Sequence, residues 1–268
     1  MSNLSPASPI GPLSVGNVVS ASVRIYRSHL KQYLTLSLTA YLWILVPVYG
    51  WAKTSAISGL ISRLAYGELA DQPESVADAR RFTDARKWRF LGAGILLGLI
   101  FIGLYFGMAI VVGILFATTV AVGPIGAILG VIGAIAALLV LIRVYSRLFI
   151  FEVPIAIEEH VDATTALGRS WDLTKGSVGR VQWVVTIAFL ISLAVQIPVR
   201  IFNQVLAVAL QTGDGSLTAA GVIATLLIFT VAILSAALVM PFWQVIKAVI
   251  YYDLRARREG LGLKLRDR

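Results

Sequence analysis

The groups able to do chemistry are few in this sequence and unevenly placed. Cysteine is absent and histidine occurs only at His29 and His160, which excludes thiolate catalysis, disulfides and Cys-ligated metals. Arg143, Arg147, Glu152 and Arg200 are ionisable residues near membrane depth, beside long apolar runs. Charges at membrane depth are costly and tend to mark function. Arg143 and Arg147 are one helical turn apart and Pro154 and Pro198 flank the set, so the four form a candidate polar pocket opening toward the cytoplasmic leaflet. A plainer reading puts all four at span ends, with the arginines snorkelling and Glu152 paired with one of them.

Glu158, Glu159 and His160 carry ligand atoms, but successive residues on a helix point in different directions and a metal needs convergent ligands. A solvated charged loop explains the trio. Neither a nucleophile elbow nor a Gly-rich phosphate loop is present, so no catalytic residue, cofactor or metal is expected. Basic residues recur beside aromatics: Arg24 and Arg27 with Tyr26, Arg86 and Lys87 with Trp88, Arg169 with Trp171, and Arg255 with Tyr251 and Tyr252; Lys175 and Arg180 extend the third group. Nucleic acid could use such a mixture. At the ends of apolar runs, however, anionic headgroups are the simpler partner, worth ~1 kcal/mol per basic residue near the surface. The expected partners are therefore membrane lipids and other membrane proteins, not nucleic acid. Nothing in the residues sets an oligomeric state.

What positions these groups is a membrane architecture. Hydrophobic residues make up 58% of the chain and charged ones 14%, with a mean hydropathy of +0.84, far from the balance of a soluble domain. Residues 90–142 and 216–246 contain no charged residue, and such runs exceed the ~20 residues that cross a hydrocarbon core. The first run divides at "VGPIG" (122–126), a Gly-Pro turn, into a hairpin of two helices. Gly94/Gly98, Gly103/Gly107 and Gly126/Gly130 have the small-xxx-small spacing of closely packed membrane helices. Ser14 is the expected N-cap of a first helix that is either amphipathic and lying at the membrane surface or the water-exposed extension of the first span, and Ser75 with Asp78 has the spacing of a capping box. Pro198 and Arg200 are expected to interrupt the helix that starts near Val181, and Pro241 to kink the last one. The opening "MSNLSPASPIGP" reads as a disordered tail (1–13) and not a cleaved signal. Residues 14–268 read as one membrane domain.

Lys and Arg assign the sides. Four segments are basic: the N-terminal one, the loop before Phe90, residues 143–180, and the tail. All four are expected in the cytoplasm, as are both termini. The connections near Gly123 and at "QTGDGS" lack Lys and Arg and belong outside. The first apolar region, with "LVPVYGWAK" (45–53) at its centre, must then begin and end on one side. It either crosses twice through short helices or forms a re-entrant hairpin, with Pro47 and Gly50 at the reversal and Gly50 as pivot. Only nine residues separate Lys53 from Arg63, about 14 Å of helix, so a crossing there is thin. The expected fold is all-α, with six membrane helical segments and cytoplasmic interfacial helices. A partial echo of Arg24, Tyr26 and Pro47 in Arg169, Trp171 and Pro198 would divide the domain into parallel halves, 14–155 and 156–268.

Three segments in order, "PLSVGNVVSASVRIYRSHLKQYL", "ALGRSWDLTKGSVGRV" and "YYDLRARREGLGLKL", resemble a bacterial family named for the membrane domain of glycerophosphodiester phosphodiesterase. The resemblance implies a six-helix protein of a bacterial cytoplasmic membrane, or of a thylakoid if the source is photosynthetic. It implies no enzyme, because the phosphodiesterase of the name is a separate barrel domain and no catalytic residue carries over. The expected function is a non-enzymatic scaffold, assembly or lipid-organising module with a basic cytoplasmic face. The alternative is a transporter of a small solute or lipid.

Overall fold

The computed structural model describes residues 13–211 and 219–259. The tail up to residue 12, most of "QTGDGS" and residues 260–268 lie outside the described residues. Those described form helices and no strand: α1 (Val15–Ser28), α2 (Leu30–Ile44), α3 (Tyr49–Leu69), α4 (Val76–Ala85), α5 (Lys87–Ala117), α6 (Thr119–Val122), α7 (Pro124–Leu148), α8 (Glu152–Ile157), α9 (Ala163–Thr174), α10 (Val178–Gln211) and α11 (Ala219–Glu259). Side-chain oxygens start three of them. Ser14 accepts from the Asn17 amide at 3.1 Å, Ser75 from Asp78 at 3.1 Å, and Asp162 from Thr165 at 2.8 Å, each satisfying an amide that a first turn leaves free.

Among the described residues four helical stretches are long and apolar enough to cross a membrane: Lys87–Ala117, Pro124–Ile157, Val178–Val208 and Gly221–Glu259. Large apolar side chains along them, Ile110, Ile128, Phe189 and Leu226 among them, are exposed, as lipid-facing residues must be. The chain is a helical membrane protein with four such stretches in place of the six expected. The other two segments fall short for different reasons. α2 has 15 residues, about 22 Å of helix, and α3 carries Lys53, Arg63 and Glu68.

Contacts at the tip of the α2–α3 hairpin show where it lies. Tyr49 packs edge-on against Trp88 with ring centres 6.4 Å apart, Lys87 lies 5.7 Å over the Tyr49 ring, and Lys53 pairs with Asp84 at 2.8 Å. The reversal is therefore level with the charged start of α5. Gly50 is not the pivot. Val48 takes the positive φ of 61° with ψ −66°, and the Tyr49 amide donates to the Pro47 carbonyl at 2.7 Å, a γ-turn of the rare, strained hand. Gly50 is already helical, and its missing Cβ makes room for the Trp43 carbonyl.

The long helices form two antiparallel pairs, α5 with α7 and α10 with α11. Gly123, at φ 61°, and Pro124 make the first turn as expected. The glycine spacings divide. At Gly126, Gly130 and Gly133 an added Cβ would overlap Thr119, Phe116 and Leu115, whereas Gly94, Gly98, Gly103 and Gly107 have no neighbour where a Cβ would stand. Pro198 does not interrupt α10, nor Pro241 α11. One lost backbone bond is tolerated within a long membrane helix. Pro47 lies in a turn and Pro198 in an unbroken helix, so the prolines aligned by the proposed duplication have different roles.

The core lies at one end of these pairs. α3 is its centre, with Leu60, Ile61 and Ala65 fully buried against Val245, Ile246 and Val249 of α11. α1 packs Val18, Val19, Ser22 and Ile25 inward against α11 and α10, and the Tyr26 hydroxyl donates to the Leu238 carbonyl at 2.9 Å. A second cluster, built on Phe90, Ala93, Ile155 and Ala166, joins α5 to α8 and α9. We call this end the base.

Candidate functional site

The base is tied together by ion pairs that radiate from α11. Lys247, Tyr251, Arg255 and Glu259 recur every four residues, so they share one helix face. Lys247 Nζ lies 2.6 Å from Glu152, with the side chains only 14% and 12% exposed, and 5.5 Å over the Phe149 ring. Tyr251 donates to Glu158, which also accepts from Arg169 at 3.0 Å. Arg169 reaches on to Glu259, which Arg255 meets at 2.8 Å while also donating to the Tyr66 hydroxyl at 3.4 Å. Burial disfavours the Arg169 cation, but the hydrogen bonds and charges of Glu158 and Glu259 together outweigh it and hold its pKa above the usual value. Burial also raises the Tyr66 phenol against the pull of Arg255. The hydroxyl is neutral and available as an acceptor.

A second knot ties Leu13, just ahead of α1, to α11. Asp253, 2% exposed, accepts from the Leu13 amide at 2.7 Å and from Arg257 at 3.1 and 3.2 Å. Arg180 Nη2 lies 3.1 Å from the same carboxylate as an ion pair, without the alignment of a hydrogen bond. In a third knot Arg63 grips Glu74, with Nη2 at 2.9 Å from Oε2, and donates to the Ala156 carbonyl at 2.8 Å. Arg63 and Arg86 stand 3.7 and 3.3 Å from the centre of the Phe82 ring. Two planar cations this close must take opposite faces, an arrangement each ring face favours. Burial first, then repulsion from Arg89 and Arg63, lowers the Arg86 pKa, with Glu159 acting against them.

The four residues of the anticipated pocket do not meet. Glu152 is paired, but with Lys247 and not with an arginine. Arg147 lies 4.5 Å over the Trp171 ring and donates to the Trp171 carbonyl at 3.1 Å. Arg143 is exposed with no partner among the described residues. Arg200 lines a separate crevice between α10 and α11. Of the residues read as headgroup contacts, Arg24, Arg27, Trp171 and Lys175 are exposed. Tyr251 and Tyr252 are buried, and Arg169, Arg180 and Arg255 turn into ion pairs. Basic-aromatic spacing reads the same for a headgroup contact and for a core clasp, and the carboxylates that decide between them come from distant segments. Glu158 turns to Arg169 and Tyr251 while His160 is exposed, so the trio around them does not converge. Lys247, Asp253 and Glu259 escaped the reading of the sequence. The signal for Lys247 and Glu259 was the i, i+4 polar stripe on the last helix, and for Asp253 its own i, i+4 spacing to Arg257.

These features define a helical membrane protein whose ion pairs are gathered at one end. The chain belongs to the family described as a domain of unknown function, DUF7847, which matches residues 46–254, from the α2–α3 turn into α11. No curated protein and no solved structure matches it.

Proposed function

We propose that the protein is a non-enzymatic module of a bacterial cytoplasmic membrane that organises lipids or assembles with other membrane proteins through its base. One observation carries this reading. The carboxylates of Glu74, Glu152, Glu158, Asp253 and Glu259 turn inward to partners, whereas Arg24, Arg27, Lys31, Arg80, Arg81 and Lys175 are exposed and unpaired among the described residues. The same end also exposes Glu68, Asp71, Asp78, Glu159 and Asp172, yet cations remain in excess, and a net basic rim at the ends of membrane spans favours the cytoplasmic side, where each cation gains ~1 kcal/mol from anionic lipid. Both termini belong to that side, and the α2–α3 hairpin enters the same leaflet at its apolar tip. The resemblance to the phosphodiesterase-associated membrane domain agrees with a module that works beside other proteins. Replacing Arg24, Arg27 and Lys31 together by Glu is expected to strip anionic lipid or protein partners from the protein isolated in mild detergent, as read by mass spectrometry. Unchanged association would count against the reading. Transport of a small solute or lipid is the second reading, favoured by the polar crevice beside Arg200. It predicts flux in proteoliposomes that Arg200→Ala abolishes.

A further inference from the structure

In the crevice between α10 and α11 polar groups gather without serving one another. It encloses about 440 Å³, and its lining includes Tyr41, Gln196, Arg200, Asn203, Ser235 and Trp243. Gln196, Arg200 and Asn203 stand at i, i+4 and i+7 of α10, so one helix face brings them together. Gln196 donates to Ser192 at a long 3.4 Å. The Asn203 amide oxygen is buried with no hydrogen-bond partner, and the side chains of Tyr41, Arg200 and Ser235 have none among the described residues. All but Tyr41 lie within membrane-spanning stretches, where an unpaired polar group costs several kcal/mol. Here an exposed arginine, two hydroxyls and the buried Asn203 amide oxygen face one space.

We propose that this crevice binds the headgroup of an anionic phospholipid. Arg200 is always charged and its guanidinium fork matches phosphate oxygens. Tyr41 and Ser235 add hydroxyl donors, and the Asn203 oxygen accepts from a headgroup hydroxyl such as that of glycerol. The flanking Ile197 and Ile201 are exposed on the lipid-facing side of α10, so the entrance faces the bilayer. The remaining wall, with Val199, Val239 and Met240, suits the start of an acyl chain. The volume lies within the range of ordinary ligand sites.

The test is native mass spectrometry of the full chain in mild detergent, titrated with phosphatidylglycerol or with neutral phosphatidylcholine. One phosphatidylglycerol per chain should be retained in preference to phosphatidylcholine. Arg200→Gln should weaken it at least about tenfold, the size of a lost charge-assisted contact. Asn203→Leu should weaken it severalfold, and so should Tyr41→Phe, which removes one hydroxyl and serves if the charge variant does not fold. Arg24→Gln, on the base rim, should leave this lipid in place, which separates the site from the basic-rim reading. Equal retention by Arg200→Gln, or by Tyr41→Phe where only that variant folds, overturns the proposal. So does equal binding of phosphatidylcholine. Displacement by inorganic phosphate overturns the lipid as occupant in favour of a soluble anion.

Discussion

Removing Lys247 is the sharpest perturbation of the base. Its ammonium lies 2.6 Å from Glu152, with both side chains almost out of solvent. At an effective dielectric constant near 20 that separation corresponds to about 6 kcal/mol of attraction, largely offset by several kcal/mol of desolvation for each ion. The net worth of the pair is therefore small, but deleting one member leaves a buried charge alone. Lys247→Met should cost about 3–5 kcal/mol. The double variant Lys247→Met with Glu152→Leu should return to within about 1 kcal/mol of the parent, since an apolar pair of similar volume replaces a buried ion pair at little loss. Unfolding in mixed micelles, followed by tryptophan fluorescence, measures all four corners of the cycle. Additive losses, or a single variant as stable as the parent, would refute the idea that the pair is desolvated and mutually dependent.

Two substitutions at the hairpin tip should act in opposite directions. Gly50→Ala drives a methyl group into the Trp43 carbonyl and should destabilise despite the better helix propensity of alanine, whereas Val48→Gly relieves a strained turn worth roughly 1 kcal/mol or more; both are read by the same unfolding curves. Hydrogen bonds from Thr165, then Thr164, hold the Asp162 carboxyl below its ordinary value of 3.8. A depressed acid stabilises fully above the unfolded pKa and loses that contribution as pH falls through the lower folded value, so α9 should loosen only in strong acid, and Asp162→Asn should remove that pH dependence in an acid titration. A cysteine at Leu45, 80% exposed at the tip, should never react with a membrane-impermeant thiol reagent from the side opposite the basic rim. Reaction from that side would show that α2 and α3 cross.

The apolar spans, the Gly123–Pro124 turn and the caps at Ser14 and Ser75 were legible because each depends on local composition. Depth around "LVPVYGWAK" was not, because it depends on where Tyr49 and Lys53 find Trp88 and Asp84, roughly thirty to forty residues on. Charge parity required an even number of crossings for that region, and zero satisfies it as well as two. The pocket expectation failed for a related reason. Arg143, Arg147 and Glu152 are close in sequence, yet the partner of Glu152 is Lys247, 95 residues away. A lone lysine just after a 31-residue uncharged run reads as the end of a span until its i+4 companions Tyr251, Arg255 and Glu259 are lined up.

That stripe also explains how the two helix pairs are held relative to each other. Between α5–α7 with α8 on one side and α10–α11 on the other, the described ion pairs and ring contacts are Lys247 with Glu152, Lys247 over Phe149, and Phe149 against Trp243 with ring centres 5.9 Å apart. All three lie at the base. α9 adds a bridge through Arg169, from Glu158 to Glu259. α7 also touches α10 directly, but the ion pairs and ring contacts that join the two pairs are gathered at the base. Loosening the base should therefore change the angle between the pairs before it unfolds either one. Spin labels at Ile128 on α7 and Leu226 on α11, both exposed, would report this. In Lys247→Met their distance distribution should broaden while helix content stays constant. A distribution as narrow as the parent's would mean that the far halves position each other, and that the base is not what orients the spans.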